Sequence, residues 1–162
     1  MRIGSGYDSH RFAEGRRLVL GGVEFRGETG LAGHSDADVL IHAIIDALLG
    51  AAALGDIGSH FPDTDPKWKD ADSAKLLESV VEELLAARYR LVNVDATVIC
   101  ERPKLRPKVD EIRRRLSELL GIPVSSVSVK GKTNEKLDDV GAGLGIEVHA
   151  VALIEEGEKV RR

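Results

Sequence analysis

The 162-residue chain has no glutamine, and asparagine occurs only at Asn93 and Asn134. Beside abundant Glu, Lys and Arg, that shortage of thermolabile amides resembles proteins adapted to heat, so an unfolding midpoint above the usual mesophile range is expected. Cysteine occurs once, at Cys100. No internal disulfide can form, which fits a reducing compartment and makes cytoplasm the expected location. No apolar run is long enough to cross a bilayer, because the longest, Ala43 to Leu54, is broken by Asp46. Met1-Arg2-Ile3-Gly4 starts a strand pattern and not a signal-peptide core, so no membrane is expected. Excess positive charge is lacking too: the formal net charge is −4, which argues against a nucleic-acid partner.

Apolar residues make up 43% and charged residues 31%, enough for one folded catalytic domain over 1–162, with any disordered tail confined to Glu155–Arg162. Segments 1–12 and 17–25 read as strands broken by glycine-rich turns. A helix is expected from Ser35, where Ser-Asp-Ala-Asp offers a hydroxyl cap, to near Gly55. The Asp, Gly and Pro-rich stretch 55–72 reads as a long loop, of the kind that tends to carry function. Helices over 73–88 and 105–120, and strands over 91–99, 127–130 and 146–154, complete the pattern. The order suits an α+β domain: a mixed four-stranded sheet with helices packed on one face, plus a small N-terminal hairpin. Residues 146–154 show little clean alternation, which association of subunits would explain.

Asp8 and His10 are two apart in an extended segment, so both side chains leave one face and can reach one ion. His42 lies in an aliphatic helix between Asp38 and Asp46, where polar groups are costly unless paired or bound. Two histidines and a carboxylate suit Zn²⁺ with an open fourth position, although Mn²⁺ or Co²⁺ would also be accepted. The plainer reading is a surface His10 and a hydrogen-bonded core His42. Asp46, or else Asp38, is the expected acceptor that orients His42. His34 and Ser35 at the mouth of that helix suit an anion such as phosphate, or else form a simple cap. Lys130-Gly131-Lys132-Thr133-Asn134-Glu135-Lys136 suits a diphosphate with its own Mg²⁺, Glu135 being the ligand, unless it is only a solvated turn. Cys100-Glu101-Arg102-Pro103-Lys104-Leu105-Arg106 leaves a strand end, where a nucleotide could rest; its plain reading is a strand-to-helix turn. Cys100 reads as packing, since nothing nearby lowers its pKa.

Gly-x-Asp-x-His at 6–10, His34-Ser35-Asp36, Asp38 with His42, Asp56-Ile57-Gly58, Phe61-Pro62-Asp63-Thr64-Asp65 and Lys130-x-x-Thr133-x-Glu135-Lys136 together resemble the 2-C-methyl-D-erythritol 2,4-cyclodiphosphate synthase family, in order and over nearly the whole chain. The resemblance implies a lyase of the non-mevalonate isoprenoid route, a homotrimer with active sites between subunits. Its substrate would be a small cytidine diphosphate, 4-diphosphocytidyl-2-C-methyl-D-erythritol 2-phosphate, cyclised with release of CMP. It further implies Zn²⁺ on Asp8, His10 and His42, Mg²⁺ or Mn²⁺ on Glu135, and His34 and Thr133 as transition-state stabilisers. Substrate contacts would come from Asp8, Ser9, His10, His34, Ser35, Asp56 to Gly58, Phe61 to Asp65, Cys100 to Arg106 and Lys132 to Glu135. Several relatives carry an aromatic and an arginine after Glu135, where this chain has Leu137-Asp138-Asp139-Val140-Gly141-Ala142, so an isoprenoid-diphosphate site on the trimer axis is not expected. A zinc phosphodiesterase would give a linear product with one added water, and a nucleotide-binding module would give no turnover.

Overall fold

Glycines at positions 4 and 6 decide how the two main elements meet. The computed structural model describes residues 1–157, and in it strand β1 (Arg2–Ala13) runs beneath helix α1 (Val39–Ala52). A Cβ on Gly4 would lie 2.0 Å from the Ala47 carbonyl oxygen, and one on Gly6 would lie 1.9 Å from that of Ala43. Only glycine permits this approach. Side chains alternate along a strand, so Gly4, Gly6, Asp8 and His10 all face the helix, while Ile3, Ser5, Tyr7 and Ser9 face away.

Strands β2 (Val19–Leu20) and β3 (Val23–Glu24) form a separate two-stranded hairpin, and β4 (Gly30–Leu31) pairs with the end of β1. After α1 come the single turn α2 (Ile57–His60), helix α3 (Ser73–Ala86), β5 (Tyr89–Ile99) and α4 (Val109–Leu120). The chain continues through β6 (Val127–Lys132), the short α5 (Asp138–Gly141) and β7 (Gly145–Glu156). The main sheet has the order β4-β1-β7-β5-β6, antiparallel except for the parallel pair β5 and β6. It is therefore mixed and α+β as expected, but five-stranded: β4 is too short to announce itself by periodicity.

Along β7, Ile146, Val148, Ala150, Ala152 and Ile154 are buried, so the alternation is cleaner than the residue types suggest. The strand also takes in Glu155 and Glu156, shortening the expected tail; residues 158–162 lie outside the described part. On the sheet face away from the helices, Ile3, Tyr7 and Val151 remain exposed. Helix α1 is almost wholly buried between the sheet and α3. In α4, Ile112, Leu116, Leu119 and Leu120 form the inward stripe. Among the described residues, no helix is long and apolar enough to cross a membrane.

Candidate metal centre and active site

The close seating of α1 on β1 carries His42 to Asp8 and His10. Oδ2 of Asp8 lies 2.9 Å from Nε2 of His10 and 3.0 Å from Nδ1 of His42. The two ring nitrogens are 3.4 Å apart. Two ligands each about 2.0–2.1 Å from a tetrahedral zinc lie roughly 3.3 Å from one another, so the three atoms converge as such an ion requires. Burial works against the Asp8 carboxylate, but hydrogen bonds from His10 and His42 outweigh it and hold the group down at about 2. Burial likewise disfavours charged His10, and its bond to Asp8 overrides this and raises it. His10 Nδ1 lies 2.6 Å from the Ala32 carbonyl, an acceptor that turns Nε2 toward the cluster.

Helix α1 starts at Val39 and not at Ser35. Ala37 adopts a left-handed φ of 59°, which keeps Ser35–Ala37 out of the helix, and Asp38 is the cap, accepting the Ile41 N–H. The same carboxylate accepts Gly21 N–H at 2.9 Å and Gly22 N–H at 2.7 Å, tying the small hairpin to the helix. Burial pushes Asp38 up to about 6 despite these donors. Ser35 is turned inward, its Oγ 3.2 Å from His42 Nε2 and accepting the Ala37 N–H. The helix mouth is thus capped by the Asp38 carboxylate in place of the expected Ser35 hydroxyl.

Asp46 does not orient His42 either. It accepts the Ile57 N–H at 2.8 Å and so anchors the loop that follows. The partner of His42 Nε2 is Ser73 Oγ at 2.9 Å, from the start of α3. Ser73 had signalled itself only as part of a helix start, and its contact to His42 spans too much sequence for any local pattern to reveal.

A cavity of about 420 Å³ opens beside the three ligands, lined among others by His34, Ser35, Ile57, Gly58, Phe61, Asp63, Trp68 and Leu76. Asp56 caps α2, and the Phe61 and Trp68 rings meet edge to face at 5.0 Å. His34 Nε2 lies 3.2 Å from the Asp65 carbonyl. Trp68 and Leu76 complete an apolar wall that the motifs had not singled out. Pro62 and Thr64 belong to the same loop but do not line the cavity.

A second cavity, about 330 Å³, is lined by Cys100, Pro103 to Arg106 and Gly131 to Thr133, with Val109. It sits where the parallel pair β5 and β6 ends. Glu101 and Arg102 face a neighbouring hollow with Lys104. Cys100 is buried and its thiol is pushed up by burial to about 11, so it packs and does not attack. Thr133 Oγ1 donates to Glu135 Oε1 at 3.0 Å, and Glu101 accepts the Asn134 N–H at 3.1 Å. Glu135 and Lys136 are both left-handed, at φ 51° and 63°. The two cavities share no lining residue: Asp8, His10 and His42 stand at one, Lys132 and Thr133 at the other. Ser9 lies on neither, facing a hollow with His10 and Glu147.

The YgbB family matches residues 1–155. The chain belongs to this family. A 2-C-methyl-D-erythritol 2,4-cyclodiphosphate synthase from Salinibacter ruber is 59% identical over 155 residues, covering 96% of this chain and 99% of the relative. A solved structure of 2C-methyl-D-erythritol-2,4-cyclodiphosphate synthase in a CDP-bound form superposes with a TM-score of 0.87 at 38% identity, covering 95% of this chain and all of that one. The bifunctional IspDF of Campylobacter jejuni contains the same fold at a TM-score of 0.94 and 37% identity, over 99% of this chain and 43% of that one.

Proposed function

We propose that the chain is a cyclising phosphorus–oxygen lyase that converts 4-diphosphocytidyl-2-C-methyl-D-erythritol 2-phosphate to 2-C-methyl-D-erythritol 2,4-cyclodiphosphate and CMP. The observation that carries this is the convergence of Asp8, His10 and His42 at the edge of a small, partly apolar cavity, in a chain 59% identical to a synthase of that name. A phosphate oxygen of the substrate bonds to the β-phosphorus as the bridging oxygen departs with CMP. No water enters, and the protein supplies no nucleophile.

Asp8, His10 and His42 would hold Zn²⁺ or a similar divalent ion, and Glu135 would bind Mg²⁺ or Mn²⁺ carried by the diphosphate. When bound, such ions lend Lewis acidity to phosphate oxygens and offset their charge. The exposed Glu135 carboxylate accepts only the Thr133 hydroxyl among the described residues, leaving lone pairs for an ion. The work of the chain is then positioning. His34 and Thr133 donate hydrogen bonds as charge builds on the transferring group, Lys132 neutralises phosphate, and the 56–65 loop encloses the methylerythritol unit. The Cys100 to Arg106 turn would cradle cytidine.

Residues on separate cavities must act together, and this supports a homotrimer in which one chain's metal half meets another's nucleotide half. Exposed Ile3, Tyr7 and Val151 give the open sheet face a surface that association would cover. The single buried cysteine suits work in the cytoplasm. The test is mass spectrometry of products from metal-replete protein beside His42→Ala. Cyclic diphosphate and CMP are expected, falling on the order of 10³-fold in the variant. A linear product containing one added water would identify a phosphodiesterase instead.

A further inference from the structure

We propose that Asp36 and Ser73 are positioning residues that bias the tautomer of His42 toward Nε2–H, which frees the Nδ1 lone pair where Asp8 and His10 converge. The inference rests on the reading of those three side chains as a divalent-metal site. Ser73 is fully buried at the first position of α3. Its hydroxyl donates to Asp36 Oδ1, and its backbone N–H donates to Asp36 Oδ2 at 3.1 Å. A serine hydroxyl has one proton, and a carboxylate can only accept, so that proton is committed to Asp36. Toward His42 Nε2, 2.9 Å away, Ser73 Oγ can therefore only accept. Ser73 therefore favours the proton on Nε2, against Asp8 Oδ2, which lies 3.0 Å from Nδ1 and draws the proton there while no ion holds that carboxylate.

In neutral imidazole the proton on one nitrogen leaves the other free to ligate. Nδ1, 3.0 Å from Asp8 Oδ2 and 3.4 Å from His10 Nε2, is the nitrogen that faces the other two ligands. The Ser35 hydroxyl, 3.2 Å from Nε2, does not decide the matter. It already accepts the Ala37 N–H, but its own proton is uncommitted and can be given to Nε2, favouring the wrong tautomer. Asp36 is itself held in place: its N–H donates to the Ala71 carbonyl at 3.0 Å, and it accepts the Asp38 N–H at 3.2 Å. The relay thus joins the segment before α1 to the start of α3 through one serine.

The experiment uses the full chain with ¹⁵N-labelled histidine, stripped of metal and held at alkaline pH where the imidazoles are neutral. Nitrogen shifts report the His42 tautomer, and zinc affinity is read by competition with a chromophoric chelator. The wild type is expected to carry a larger share of the proton on Nε2 than the variants do. Ser73→Ala should shift the proton toward Nδ1, beside Asp8, and weaken zinc binding about 10–100-fold. Asp36→Ala should act in the same direction, because the released Ser73 proton can turn onto Nε2. If Asp36→Ala does not fold, Ser73→Ala decides alone. Unchanged tautomer and affinity in folded Ser73→Ala would overturn the relay while His42→Ala still loses zinc. Zinc binding undiminished in His42→Ala would instead sink the metal reading beneath it.

Discussion

Asp8, His10 and His42 stand on a strand and a helix whose backbones touch, whereas Thr133, Asn134 and Glu135 stand on a loop held by side-chain hydrogen bonds. The metal half needs three atoms brought within a few tenths of an ångström, and a packed backbone supplies that tolerance. The half proposed to hold the nucleotide would have to admit and release a ligand, and a loop with left-handed residues and an exposed cavity permits it. The most direct way to break this division is to ask whether the halves must come from one chain. In the proposed homotrimer, His42→Ala and Thr133→Ala should each lose at least 100-fold in CMP release. Random co-assembly of the two should restore activity at about a quarter of the sites, those joining an intact metal half to an intact nucleotide half across an interface. Mixtures no more active than either parent would mean that each chain completes its own site.

The halves should also differ in tolerance to one added methyl. In Gly6→Ala the new Cβ collides with backbone, so a loss of about 3 kcal/mol or outright failure to fold is expected. In Gly131→Ala the nearest atom is the Leu105 Cβ at 3.3 Å, a contact too tight by only a few tenths of an ångström. Urea unfolding should show less than about 1 kcal/mol lost there, with the damage appearing in CDP affinity.

Carboxylates mark the same contrast electrically. Buried Asp38 is raised from the ordinary 3.8 to about 6, while exposed Asp138 is lowered, chiefly by its bond from Asn134. A group raised on folding contributes stability below its unfolded pKa and loses it as pH climbs through the folded value. At about 1.4 kcal/mol for each pH unit, the Asp38 contribution should fall by about 3 kcal/mol between pH 4 and 6. Urea midpoints of metal-free wild type and Asp38→Asn should therefore diverge across that window, the variant gaining relative to wild type as pH rises. Parallel curves would show that the three backbone N–H donors cancel the burial.

Much of the metal half was legible because its spacing is local. Asp8 and His10 share a strand face by period alone, and His42 stood out as a polar group in an aliphatic helix. What orients His42 was not legible: Asp46 and Asp38 were nearer in sequence, but Asp46 is drawn to Ile57 and Asp38 to the hairpin glycines. Ser35 was read as the cap, and the left-handed Ala37 moves that role to Asp38. Edge strand β4, two residues long, carries too few positions for any periodicity. Trp68 and Leu76 read as ordinary apolar residues until the loop folded over the cavity.

The smallest expected effect concerns how the nucleotide half keeps its shape. Glu101 accepts the N–H groups of Asn134 at 3.1 Å and of Lys136 at 3.5 Å, on either side of left-handed Glu135. A non-glycine residue with positive φ reverts to ordinary backbone unless its surroundings hold it. Here one carboxylate clamps both neighbours, so it sets the direction in which Glu135 and Thr133 point. Glu101→Ala should weaken CDP binding about tenfold in calorimetry with Mg²⁺ present, the worth of one charge-assisted hydrogen bond. Zinc affinity should stay at the wild-type value, because among the described residues no hydrogen bond joins the Asp8, His10 and His42 side chains to this loop. A parallel loss of zinc would mean that the two halves are coupled through the sheet and that the loop is not the independent part its hydrogen bonds describe.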